Sequence, residues 1–333
     1  MTAKYRKGFV QRDSVEREEY AKVPSASPGE GKERDGAENL LERILDRNNL
    51  NRAYKQVKGN HGAPAIDGMT VEQALPWLQE HRAELLQSIR EGKYTPSPVR
   101  RKEIPKPDGG VRKLGIPTVV DRIIQQAIAQ QLQPIYEPLF SDASYGYRPR
   151  RSGQQAVRQV KKYAEQGYTY AVEVDLSKYF DTLNHELLME LLRKQIHDKR
   201  VTGLIKRYLK AGVMENGVIT RTREGSPQGG PLSPLLANIY LNEFDQEMTR
   251  RGVKVVRYAD DIVVVTKSKR AAEHMLESCR KFLEGRLKLT MNLQKSKVVS
   301  LFSNRNFKFL GCCLGKDGRG VYIRVHRNSL QKA

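Results

Sequence analysis

The chain has 333 residues, with 59 Lys+Arg against 38 Asp+Glu for a net charge of +21, and 38% of its residues are hydrophobic. Three cysteines, two of them adjacent, rule out a disulfide scaffold; the six histidines never pair with cysteines at zinc-finger spacing; and no run approaches the roughly 18 apolar residues that cross a bilayer. With no charged-then-apolar signal segment at the start, the expectation is a soluble, intracellular protein without a membrane partner, rich enough in apolar residues for a sizeable core.

Residues 1–37 mix charges of both signs with a Pro/Ser/Gly stretch and read as a flexible, nearly neutral tail, so almost all the positive excess falls on the rest. A body so charged repels itself unless a polyanion screens it, and nucleic acid is the natural partner. Leu40, Leu41, Ile44 and Leu45 recur at helical spacing, and residues 60–67 form a loop of turn residues. Thr70 caps a helix that runs toward Gly92. Residues 100–116 form a hairpin with basic arms around Pro107-Asp108-Gly109-Gly110. Helices follow at about 120–132 and 154–165, a strand at 168–176, and helices at 185–196 and 201–211. After the glycine loop at 225–230, a long helix extends to Gly252. Two β-branched runs, 253–258 and 262–266, enclose Ala259-Asp260-Asp261 as a tight hairpin with an acidic apex. A helix at 271–286 and a hairpin around 315–320 complete the order.

Asp260 and Asp261 lie between almost wholly apolar runs, where a lone charge is costly unless a cation binds it. A third carboxylate, Asp175, ends the run Ala171-Val172-Glu173-Val174. Strand side chains alternate faces, so one of the adjacent pair, taken as Asp260, is expected to point at Asp175. Carboxylates suit Mg²⁺ or, as an alternative, Mn²⁺, and two such ions about 4 Å apart can hold the attacking and leaving oxygens of a phosphoryl transfer. The loop at 225–230 carries no Gly-Lys-Ser/Thr, so ATP hydrolysis at a Walker A motif is unsupported.

Tyr258-Ala259-Asp260-Asp261 in a hairpin, with a strand-terminal Asp175 upstream and Ser226-Pro227-Gln228-Gly229-Gly230 between them, resembles the palm of reverse transcriptases. Residues 51–69, 104–117, 144–153, 225–239 and 307–314 resemble, more closely, the group II intron-encoded reverse transcriptases or maturases, over the chain from about residue 38 onward. The resemblance implies an α/β (α+β) right-hand polymerase with an antiparallel palm sheet and flanking helices. Its parts would be a tail (1–37), a lineage-specific N-terminal extension (38–95), fingers and palm (96–325), and the start of a missing thumb (326–333), as in a fragment of a longer protein.

The same resemblance implies an RNA-directed DNA polymerase that also binds group II intron RNA as a splicing maturase. A maturase that only assists splicing, or a bacterial defence or diversity-generating reverse transcriptase, is the alternative. Asp175 and Asp260, with Asp261 beside them, would be the metal ligands for two Mg²⁺ ions. Lys295 would be the general acid, with Lys297 competing for the role. Lys106 and Arg112 would hold the triphosphate of a dNTP. Phe180 would lie under its sugar and reject a 2′-hydroxyl, and Pro227 and Gln228 would pack beside the nucleotide. Phe309, Leu310 and Gly311 would grip the DNA primer on its RNA template, and Arg52, Lys55 and Lys58 would bind intron RNA. A homodimer, and an endonuclease domain in the parent, are left open.

Overall fold

The structure, a computed structural model, describes residues 39–105, 110–215, 217–220, 224–226, 229–303, 307–326 and 329. The expected tail, Lys106, Pro227 and Gln228, and nearly all of the terminal segment after 326 lie outside them.

The first helical stretch is two helices, α1 (Leu40–Leu45) and α2 (Arg47–Gly59), because Asp46 adopts an extended ψ of 141° and its carboxylate caps α2 by accepting from the backbone N–H of Asn48 and Asn49. Thr70 and Gln73 form the capping box of α3 (Val71–Arg90). The basic hairpin is β1 (Val99–Pro105) and β2 (Val111–Ile116), followed by α4 (Val119–Tyr136). The first two helices are joined to α4 by polar as well as apolar contacts. Asn49 donates to the Ala127 carbonyl at 3.0 Å and accepts from Gln130 and Gln131. The loop at 60–67 is fastened by Arg122, which donates to the Ala63 carbonyl, and by Arg100, which donates to that of Pro64.

Beyond α4 lie α5 (Gly153–Glu165), β3 (Tyr170–Val174), α6 (His185–Arg193) and α7 (Lys199–Lys210). A short hairpin that periodicity did not reveal, β4 (Val213–Glu215) and β5 (Val218–Thr220), extends the first sheet to the order β2-β1-β4-β5, with β1 and β4 parallel. Three-residue strands carry too little alternation to stand out in a sequence. Next come α8 (Ser233–Arg250), β6 (Lys254–Tyr258), β7 (Asp261–Thr266), α9 (Lys269–Gly285) and β8 (Lys297–Ser300), a further strand not expected from the pattern. Finally β9 (Cys312–Asp317) and β10 (Gly320–Val325) pair as the expected terminal hairpin.

The central sheet has the order β6-β7-β3-β8 and is antiparallel throughout. Both of its faces are covered, which is why β7 reads as Ile-Val-Val-Val without alternation. Val172, Val174, Ile262 and Val264 join the larger core with α4, α6, α8 and α9. Ala171, Val256, Val263 and Val265 face a smaller core with Tyr145, Val160, Phe307 and Phe309. Among the described residues no helix is long and apolar enough to cross a membrane.

Candidate active site

The acidic residues stand where strands end. Val174 pairs with Ile262, so continuing that register by one residue brings Asp175 level with Asp261 on the neighbouring strand. Tyr258 pairs with Asp261 across a two-residue turn, Ala259-Asp260. Alternation therefore does not separate the pair as expected, because Asp260 is a turn residue and only Asp261 belongs to a strand. Both are within electrostatic reach of Asp175, whose charge raises the pKa of each.

Asp260 and Asp261 are exposed by surface area, yet the protein packed on their other sides strips enough solvation to be the main cause of their raised pKa values. Asp261, repelled also by Asp260 and Asp175, is pushed up to about 6. Arg112, from the exposed end of the β1–β2 hairpin, and Lys308 oppose that rise. Arg112 and Asp175 thus both lie within electrostatic reach of Asp260 and Asp261.

Among the described residues no three His, Cys, Asp or Glu side chains converge closely enough to hold an ion by themselves. Mg²⁺ is commonly bound by one or two carboxylates with substrate phosphates and water supplying the rest, so neighbouring acids at strand ends fit such an ion better than a closed cage would.

The scaffold behind the turn was not foreseen. Arg257 is fully buried, and its guanidinium donates to both oxygens of Asp245, to Asn238, to Ser144 and, at 2.8 Å, to the carbonyl of Ala259 in the acidic turn. Asn238 in turn donates to the Gly146 carbonyl. A Cβ on Gly146 would stand 2.3 Å from the Ala259 nitrogen, so only glycine lets this segment back the turn so closely. Ala259 holds a φ of +57°, a conformation costly for a side-chain-bearing residue. One signal of this scaffold was present in the sequence: Asp245 falls on the apolar stripe of α8 with Leu241, Phe244 and Met248, where an acid needs a partner.

Asp175 is held through its backbone. Its N–H donates to the Ser296 hydroxyl at 3.0 Å, and its carbonyl accepts from the Asn292 N–H at 2.9 Å. The segment 290–296 therefore runs beside it, and Lys295 is exposed on that turn. Lys297 lies on β8, where its ammonium is 3.3 Å from the carboxylate of its cross-strand partner Glu173.

Phe180 sits in a short 3₁₀ turn (Tyr179–Asp181), nearly fully buried, its ring edge-on to Tyr179 at 5.2 Å. The glycine loop lies on it: the Ser226 N–H donates to the Phe180 carbonyl at 2.6 Å. Gly229, at φ +130°, approaches so near that a Cβ would be 2.6 Å from the Gly115 carbonyl of β2. Phe309 and Cys312 exchange two 2.9 Å backbone bonds across a tight turn in which Leu310 and Gly311 both have positive φ. Arg52, Lys55 and Lys58 are exposed on α2, whose other side packs on α4, and form a basic face.

The reverse transcriptase (RNA-dependent DNA polymerase) family matches residues 104–314. Protein YkfC of Escherichia coli (strain K12) is 39% identical over 296 residues, covering 76% of each chain. The group II intron-encoded protein LtrA of Lactococcus lactis subsp. cremoris is 32% identical over 324 residues, covering 78% of this chain and 53% of its own. The chain therefore spans about three quarters of the first relative and about half of the second. Apo telomerase from Candida tropicalis superposes with a TM-score of 0.52 at 13% identity over 72% of this chain and 52% of its own, a likeness of fold alone. The chain belongs to the reverse transcriptase family, and a group II intron-encoded protein is among the proteins it is similar to.

Proposed function

We propose that the protein copies RNA into DNA by two-metal nucleotidyl transfer and binds the RNA of a group II intron to assist its splicing, in the cytoplasm of a bacterium. The observation that carries the first part is the set Asp175, Asp260 and Asp261 at neighbouring strand ends, where the charge of Asp175 raises the pKa of the other two and Arg112 opposes that rise. When bound, two Mg²⁺ ions, or Mn²⁺, would neutralise charge on the attacking 3′-oxygen and the leaving pyrophosphate. Asp175 and Asp260 would hold them, with Asp261 beside. Arg112 suits the triphosphate because a guanidinium offers paired donors to phosphate oxygens, and Lys106 would join it. Lys295 would give a proton to the pyrophosphate, with Lys297, whose ammonium is paired with Glu173, competing for the role. Phe180 would close the space under the sugar, with Pro227 and Gln228 at its side, and Phe309-Leu310-Gly311 would hold the primer.

By the same reading, residues 38–95 form an N-terminal extension and 96–325 the fingers and palm. The basic face of Arg52, Lys55 and Lys58 would meet intron RNA. A splicing-only role would have no use for Asp175, Asp260 and Asp261 brought together at strand ends. Replacing Asp260 with Asn should abolish primer extension on an RNA template while RNA binding stays within about twofold, because a metal ligand is lost and the basic surface is kept. Extension retained by Asp260→Asn would overturn the assignment.

A further inference from the structure

Glu173 lies on β3 two residues before Asp175, which directly follows the strand, so continuing the alternation of β3 by one residue puts both side chains on the same face of the central sheet. Its side chain is only 17% exposed, and its two oxygens are used differently. Oε2 faces Lys297 Nζ at 3.3 Å on the adjacent strand. Oε1 accepts the backbone N–H of Lys308 at 3.0 Å, across 135 residues of sequence. Lys308 immediately precedes the Phe309–Cys312 turn, and the same turn is tied from its other side by the His326 N–H, which donates to the Gly311 carbonyl. One carboxylate thus joins the strand that ends in Asp175, the strand β8 and the turn that would carry the primer. A largely covered carboxylate costs solvation, and an apolar residue here would complete the smaller core on this face at less expense.

We propose that Glu173 is a positioning residue, setting the spacing between Asp175 and the Phe309–Cys312 turn so that the primer 3′ end meets the carboxylates in line. The proposal rests on the reading of Asp175 and Asp260 as metal ligands and of residues 309–311 as the primer grip. Misplacement of a reacting end by about 1 Å can cost about 100-fold in rate. The role depends on the reach of Oε1 to the Lys308 N–H more than on charge.

Three variants separate reach from charge: Glu173→Gln keeps the acceptor and loses the charge, Glu173→Asp keeps the charge and retracts the acceptor by one methylene, and Glu173→Ala loses both. Single-turnover primer extension on an RNA template should slow about 10- to 100-fold in Glu173→Asp and Glu173→Ala. The KM for dNTP and the affinity for primer–template duplex should stay within about twofold, and Glu173→Gln should recover most of the rate. A general structural role would instead follow the thermal midpoint and leave the rate of folded protein unchanged. Wild-type rate in Glu173→Asp, or a Gln variant as slow as the Asp variant, overturns the proposal; if the Ala variant does not fold, the Asp and Gln comparison decides alone. Asp260→Asn serves as the control in the same assay: if it extends primers, the site reading fails, whereas an inactive Asp260→Asn beside a wild-type Glu173→Asp refutes only the role of Glu173.

Discussion

Arg257 and Asp245 form an ion pair in which both side chains are fully excluded from solvent, directly behind the turn that presents Asp260. Such a pair is costly to bury and more costly to break, because removing one partner strands the other charge. Arg257→Met should destabilise the protein by about 3–5 kcal/mol, read as a lowered urea midpoint. The double variant Arg257→Met with Asp245→Leu should recover part of that loss, since no charge is then left unpaired. A single variant within about 0.5 kcal/mol of wild type would show that the pair contributes little.

The buried ring of Phe180 should exclude a 2′-hydroxyl only if it borders the nucleotide. Phe180→Val is expected to lower the preference for dNTP over rNTP by at least about tenfold in single-nucleotide incorporation. An unchanged preference together with lowered stability would assign the ring to packing with Tyr179 alone.

The raised pKa of Asp261, about 6 against 3.8 for an ordinary aspartate, fixes the sign of a pH effect. Between those values the folded protein binds more protons than the unfolded chain, so this group's contribution to stability falls as pH rises and is fully lost above about 6. A divalent cation offsets the loss by binding the ionised form. Mg²⁺ should therefore raise the thermal midpoint more at pH 7.5 than at pH 5, and Asp261→Asn should flatten that difference. Equal Mg²⁺ shifts at both pH values would count against a cation at these acids.

Because α1 and α2 supply Leu41, Ile44 and Ala53 to the main core, charge reversal on the exposed face of α2 is a cleaner test of RNA binding than deletion. Arg52→Glu, Lys55→Glu and Lys58→Glu together should reduce the preference for structured intron RNA over an unrelated RNA of equal length, and should lower the salt slope of binding by at most about 3. If only the slope changes and the preference stays, the face is a general polyanion surface.

Local pattern made much of this protein legible. Apolar spacing located the long helices, the β-branched runs flanking Ala259-Asp260-Asp261 located the hairpin, and Asp175 was recognisable as an acid closing a buried strand, because each depends on neighbours a few residues away. Tertiary structure decided what holds those acids in place. Ser296 reaches Asp175 across 121 residues, Lys308 reaches Glu173 across 135, and Ser144 reaches Arg257 across 113. Strand β8, too short to announce itself, exists by pairing with β3 and thereby places Lys297 against Glu173. Local periodicity reports which face of an element is buried, but the partner of a buried polar group is chosen by the packing of distant segments, and that choice is made only when the chain folds.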